Sequence, residues 1–388
     1  MSIQEIDKQF VAGTYNRFPI TLTCGKGSIV KDENGKEYID MGSGIGVTAF
    51  GIADDEWTKA VTTQASTLQH MSNLYYTGPC ANLAKELCER TGMKKVFFCN
   101  SGAEANECAI KAARKYSAEK KGEDYFTIIT LKNSFHGRTL TTLAATGQDA
   151  FHKLFTPLTP GFISVSAEDL SEMKEAIKAN KIAGIMIECV QGEGGVIALK
   201  EEVIKGIEKL AKENDIPLII DEVQTGNGRT GKLYAYMNFG IEPDIVSTAK
   251  GLAGGLPIGA TMLGAKVENI FGAGDNGSTF GGNPISCAAA LSIITRIDDK
   301  LLEEVKEKSK YIFEELTGAE GIESVTGLGL MVGIKTKKSA AEVLKGCMDN
   351  GVLCLTAKDK VRLLPALNIP MEVLEKAVAV IKEQAGKE

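Results

Sequence analysis

The sequence predicts an α/β protein with a large, mainly parallel sheet domain and a smaller α+β domain. Three observations carry this. Through the middle of the chain, compact apolar segments rich in β-branched and aromatic residues alternate with amphipathic helical ones, the pattern of βαβ units. Past residue 283 the alternation gives way to long helical runs and short strands. The chain has 388 residues, 44% of them hydrophobic, too many for one small module and ample for two cores.

The N-terminal stretch is turn-rich. Its segment GSIVKDENGKEYIDM reads as a hairpin, with Ile29 and Val30 facing Tyr38 and Ile39 across Asn34-Gly35, a pair that favours tight hairpin turns. The clearest strands come next: 95–99 (KVFFC), 125–131 (YFTIITL), 184–190 (GIMIECV), 217–223 (PLIIDEV), 244–250 (DIVSTAK) and 260–265 (ATMLGA). Each is an almost continuous apolar run, as expected of strands covered on both faces. Among the intervening helices, 201–214 places Val203, Ile207, Leu210 and Ala211 on one face and Lys and Glu on the other. One long helical stretch is expected from about Asn283 to Leu316, then a strand at 324–336, a helix, short strands at 352–356 and 361–366, and a closing helix from about Pro370. The expected division is an N-terminal arm, 1–56, joining the smaller domain, a large domain, 57–275, and the small domain, 276–388.

Composition narrows the function. A net charge of −6 removes the electrostatic basis for nucleic-acid binding, and no apolar run is long enough to span a bilayer. The opening MSIQEIDKQF lacks a signal-peptide pattern, and nine scattered cysteines without a CxxC read as reduced thiols, so the expected location is the cytoplasm. Three histidines at no metal-ligand spacing give no reason to expect a metal.

The informative residues stand at the end of each buried strand or just beyond it. After 95–99 comes Asn100-Ser101-Gly102-Ala103 opening a helix, where free backbone N–H groups and the helix dipole can cradle a phosphate. An ordinary serine N-cap would look the same. After 125–131 comes Ser134-Phe135-His136-Gly137-Arg138, a ring and a guanidinium in a loop. Strand 184–190 carries Glu188, strand 217–223 carries Asp221-Glu222, and strand 244–250 ends in Lys250. One buried carboxylate is usually a hydrogen-bonded structural group. Five polar deliveries at the carboxyl edge of one sheet, where open α/β folds bind ligands, are harder to explain that way. A phosphate cradle, an aromatic plane, a buried acid and a lysine are the parts pyridoxal 5′-phosphate needs. Gly226-Asn227-Gly228-Arg229-Thr230-Gly231-Lys232 imitates a nucleotide P-loop, but Leu233 stands where the magnesium-binding Ser or Thr belongs. Gly42-Ser43-Gly44-Ile45-Gly46 reads as a loop.

These residues resemble the class III, fold-type I aminotransferases. The likeness rests on Asn100–Asn106, Phe135–Thr139, Gln191–Gly195, Asp221–Gly226, Ala249-Lys250-Gly251, Gly277–Asn283 and Arg362–Pro365, in the family's order along nearly the whole chain. Two departures are Phe50-Gly51-Ile52-Ala53, where many relatives carry Gly-His, and Cys189, where a Pro usually follows the Glu. The resemblance implies that Lys250 holds pyridoxal phosphate as a Schiff base and that Asp221 pairs with its pyridinium nitrogen. Phe135 would stack on the ring, Val223 would pack on the other face, and Gln224 would reach the ring hydroxyl. Ser101, Gly102 and Ala103 would bind the phosphate, helped by Thr279 from the second subunit of a homodimer, and Glu188 would support the Asp221 region. Arg138 and Ser278 would contact the amino donor. Arg362 would grip the α-carboxylate of glutamate and turn to Glu193 when the other substrate is present. The bland alternative for Arg362 is an edge-strand arginine with its head in water.

Within the class, Thr14–Ile20 and Arg362–Ile369 point to the members that move the δ-amino group of N2-acetyl-L-ornithine to 2-oxoglutarate, in arginine biosynthesis. Ornithine, succinylornithine and 4-aminobutyrate are the competing donors, because each presents a terminal primary amine to the same lysine. A binding or scaffold protein without the cofactor is the alternative from another class, and the intact Lys250 and Asp221 argue against it.

Overall fold

In a computed structural model, which describes residues 1–387, a seven-stranded sheet organises the chain. Its order is 95–99, 259–263, 245–248, 218–221, 182–187, 127–131, 162–165. All strands run parallel except Gly259–Leu263, which is antiparallel to both of its neighbours. The central strands Ile182–Ile187, Leu218–Asp221 and Ile245–Thr248 are buried at every position, which is why they read as unbroken apolar runs. Helix Gly102–Lys121 lies across the sheet, burying Ala105, Ala109, Ala112 and Ala113, small residues that allow close approach. The expected strands are present with ends moved by up to three residues, so that 184–190 becomes Ile182–Ile187 and 260–265 becomes Gly259–Leu263, and the sheet also holds Phe162–Val165, too short to be distinguished in the sequence.

Two four-stranded sheets and a two-stranded ribbon, Val190–Gln191 with Ile197–Ala198, complete the fold. The expected hairpin forms between Ile29–Asp32 and Glu37–Asp40, is extended by Leu22–Lys26, and pairs in parallel with Val352–Leu353 far along the chain. The other sheet, in the order 322–328, 331–336, 360–363, 355–357, is antiparallel throughout. Three expectations need correction. The short strand expected at 352–356 is two, Val352–Leu353 in the first of these sheets and Leu355–Ala357 in the other, because the chain leaves the ladder at Cys354 to cross between them. The single strand expected at 324–336 is a hairpin, Ile322–Leu328 and Met331–Thr336, turning at Gly329 with φ +60°. Its apolar arms flow into one another in sequence, and only the left-handed glycine marks the turn. The single helix expected over 283–316 is two, Pro284–Ile294 and Asp299–Leu316, because Asp298 caps a new start by accepting from the Leu301 N–H at 2.8 Å. The first of them packs on helices Asp55–Thr67 and Gly78–Thr91.

Candidate active site

The carboxyl ends of the sheet strands open on a cleft of about 480 Å³. Ser101, Gly102, Ala103, Phe135, Arg138, Glu188, Asp221, Val223, Gln224 and Lys250 all line it, so ten residues predicted from separate strand ends meet in one place.

Ser101 caps helix Gly102–Lys121: its Oγ accepts from the Glu104 N–H at 3.2 Å and its carbonyl from the Ala105 N–H at 3.0 Å. The cap and the cradle are compatible, because the first-turn N–H groups of Gly102 and Ala103 remain directed out of the helix mouth. A Cβ on Gly102 would meet Val223 Cγ1 at 2.5 Å, so only glycine lets the helix mouth and the strand end close on the same ligand.

Asp221 is held from three sides. Its Oδ2 accepts from Asn106 Nδ2 at 2.7 Å and pairs with His136 Nδ1 at 2.8 Å, while Oδ1 accepts from the Val223 N–H at 3.0 Å. Asn106 also donates to the His136 carbonyl at 2.7 Å and accepts from Ser247 Oγ. Burial pulls the pKa of His136 down, but the hydrogen bond and charge of Asp221 win and hold it above the ordinary value. Sequence reasoning missed both residues as partners of Asp221. A signal existed for Asn106, a carboxamide on an otherwise small and apolar helix face.

Glu188 is buried beside this pair, its Oε2 accepting from the Phe135 N–H at 3.0 Å. Burial pushes its carboxyl up to about 8. Lys250 opens a short turn after strand Ile245–Thr248, with φ +43°, a strained conformation for a lysine. Burial lowers its pKa, partly offset by Glu193.

Arg362 and Glu193 do not line this cleft but stand together behind Gln224, which does. Arg362 is 3% exposed, which removes the solvated edge-strand alternative. Its Nη1 donates to Glu193 Oε1 at 2.5 Å and to Gln224 Oε1 at 3.2 Å. Gln224 therefore reaches the arginine pair, donating to Glu193 at 3.3 Å, as well as lining the cleft. Arg138 sits at the rim with its guanidinium 4.6 Å from the Phe151 ring centre and 5.7 Å from that of Phe135. Ser278 Oγ accepts from Asn100 Nδ2 at 3.2 Å, just behind the helix mouth. Thr279 is exposed and does not line this chain's cleft.

The family described as aminotransferase class-III matches residues 10–384. This chain is a class-III aminotransferase. It is 50% identical over 383 residues to an acetylornithine aminotransferase of Haemophilus ducreyi, covering 98% of each chain. Among solved structures it resembles the ornithine aminotransferase of Toxoplasma gondii, with TM-score 0.94, 31% identity and coverage of 98% of this chain and 94% of that one. It also resembles the N-acetylornithine aminotransferase of Stenotrophomonas maltophilia, with TM-score 0.84, 32% identity and coverage of 98% and 97%. The aminotransferase works with pyridoxal 5′-phosphate, and its own residues fit that group: a helix mouth narrowed by a required glycine, a triply held carboxylate and a desolvated lysine face one cleft.

Proposed function

We propose that this aminotransferase moves the δ-amino group of N2-acetyl-L-ornithine to 2-oxoglutarate, giving N-acetyl-L-glutamate 5-semialdehyde and L-glutamate. The observation that carries the reading is the cluster of buried Arg362 and Gln224 with part-buried Glu193, which meets the cleft through Gln224. A guanidinium that can be offered to a carboxylate or withheld on an internal glutamate suits a site that must take a dicarboxylate in one half-reaction and a chain with an apolar approach in the other. The near full-length likeness to acetylornithine aminotransferases supports the donor.

When bound, pyridoxal phosphate supplies the electron sink that accepts negative charge from the substrate carbon losing its proton. The chain supplies the rest. Burial keeps the Lys250 amine easier to deprotonate than a surface lysine, so Nζ can act as nucleophile and proton carrier in the cleft. Asp221, fixed by His136, Asn106 and the Val223 N–H, presents a carboxylate that holds a proton at the ring nitrogen. Ser101, Gly102 and Ala103 would take the phosphate, Phe135 and Val223 would flank the ring, Gln224 would reach its hydroxyl, and Glu188, which accepts from the Phe135 N–H, would support Asp221 and the Phe135 loop. Arg138 and Ser278 hold the donor.

We further propose that the working unit is a homodimer in the cytoplasm, with Thr279 completing the phosphate site of the second subunit. Exposed Tyr76 (106%), Leu74 (87%) and Phe280 (60%) support an interface near that loop, and the nine free cysteines suit a reducing compartment. The division into an arm at 1–56, a large domain at 57–275 and a small domain at 276–388 belongs to the same proposal; the parallel pairing of Glu37–Asp40 with Val352–Leu353 supports the arm's place with the C-terminal part. The test is a donor panel with 2-oxoglutarate as acceptor. Acetylornithine should give the highest kcat/KM among acetylornithine, ornithine, succinylornithine and 4-aminobutyrate. A clear preference for ornithine would replace this reading with the activity named for the Toxoplasma structure.

A further inference from the structure

The segment Gly226–Lys232, which imitates a phosphate loop in sequence, touches the proposed machinery at two points. Asn227 is buried with φ +57°, and its Nδ2 donates to Thr248 Oγ1 and to the Ala249 carbonyl, both at 3.1 Å. Ala249 immediately precedes Lys250, so this side chain ties down the strained turn that presents the amine. Two residues on, Arg229 is 2% exposed. Its Nη1 donates to the carbonyls of Leu330, at 3.2 Å, and Pro365, at 2.5 Å, while its own carbonyl accepts from the Leu330 N–H at 2.9 Å. Pro365 lies just past strand Lys360–Leu363, which carries Arg362.

No carboxylate among the described residues pairs with Arg229, and burial pulls its guanidinium down to about 10. A buried charge with carbonyl partners alone is a poor device for stability, where an apolar side chain of similar size would serve. What a planar fork does better is to hold carbonyls from two segments at a set distance. The spacer Gly228 has φ +88°, and a Cβ there would meet Leu367 Cδ1 at 2.9 Å, so the loop lies tight against the C-terminal part.

We propose that Asn227 and Arg229 are positioning residues on one joint: Asn227 fixes the turn that presents Lys250, Arg229 fixes the strand end behind Arg362, and the loop between them sets the distance from amine to carboxylate grip. The inference rests on the roles proposed above for Lys250 and Arg362.

The test uses the cofactor-loaded enzyme and the variants Asn227→Gly, Arg229→Met and Arg229→Lys, with Lys250→Ala and Arg362→Ala as controls. Three quantities are read: the pH midpoint at which the absorbance of the bound cofactor titrates, kcat and KM for each half-reaction, and the thermal midpoint. Asn227→Gly, which leaves buried acceptors unmet, should move the absorbance midpoint and lower kcat about tenfold in both half-reactions, with the KM for glutamate within about twofold. Arg229→Met should raise the KM for glutamate about tenfold without moving the absorbance midpoint, and Arg229→Lys should recover part of that loss. If Asn227→Gly does not fold, Asn227→Ser is read in its place. Loop variants that change only the thermal midpoint, or that depress every constant alike, overturn the joint. A Lys250→Ala variant that still turns over, or an Arg362→Ala variant with unchanged KM for glutamate, overturns instead the role assignment on which the joint rests.

Discussion

Glu193→Ala asks the most of the proposed switch. Arg362 has its Nη1 on Glu193 at 2.5 Å and on Gln224 at 3.2 Å, and its Nε is buried without a partner. Taking one partner from a buried ion pair costs ~3–5 kcal/mol when the remaining charge is uncompensated. The Glu193 side chain is 28% exposed, so water screens part of this interaction, and ~1.5–3 kcal/mol is the reasonable range here. The penalty falls on the free enzyme and on the acetylornithine complex equally, since Arg362 is unpaired in both. It is relieved only when the α-carboxylate of glutamate arrives. The kcat/KM for glutamate should therefore rise relative to that for acetylornithine, by about tenfold or more at 1.4 kcal/mol per decade. Single-turnover traces of each half-reaction, monitored by the absorbance of the bound cofactor, give the two constants separately. Glu193→Gln keeps most of the shape without the charge and should fall between wild type and Glu193→Ala, whereas Arg362→Ala should shift the ratio the other way. A ratio within twofold of wild type for Glu193→Ala, in a folded and loaded enzyme, would refute the switch.

Three further outcomes are expected. Lys250→Ala should retain the cofactor through its phosphate and ring contacts, measured by equilibrium dialysis, and lose transamination by at least ~10³-fold. Asp221→Asn should lower kcat by at least ~10²-fold, and His136→Ala by less, because the histidine acts through Asp221; equal losses would place His136 in direct contact with the reacting group. Glu188, whose carboxyl is raised to about 8 from an ordinary 4.5, contributes stability that is fully present below pH 4.5 and is lost as pH rises through 8. Glu188→Gln should flatten that part of the stability profile in denaturant titrations across the same window, and an unchanged slope would show that Glu188 is not held protonated.

Much of the site was legible because of where it sits. In a sheet covered on both faces, strands are continuous apolar runs, so Glu188, Asp221 and Lys250 stand out against them as polar residues at equivalent ends. The helix mouth after 95–99 was legible for a similar reason, as small residues and a hydroxyl at the start of a long helical pattern. The assignment of Arg362 and Glu193 came from resemblance alone, since 169 residues separate them and nothing local links the two.

By itself, then, the sequence determined the alternation of strands and helices, the identity of the strand-end residues and the family, because these are written in local periodicity and short motifs. Only the tertiary structure decided the rest. It placed the antiparallel strand Gly259–Leu263 between Lys95–Cys99 and Ile245–Thr248. It brought His136 and Asn106, 85 and 115 residues from Asp221, onto the same carboxylate. It set the Asn227–Arg229 loop behind both Lys250 and Arg362. Such contacts are chosen by which strands pair and how helices pack across them. That choice depends on the free energy of the whole assembled core, which no single stretch of sequence carries.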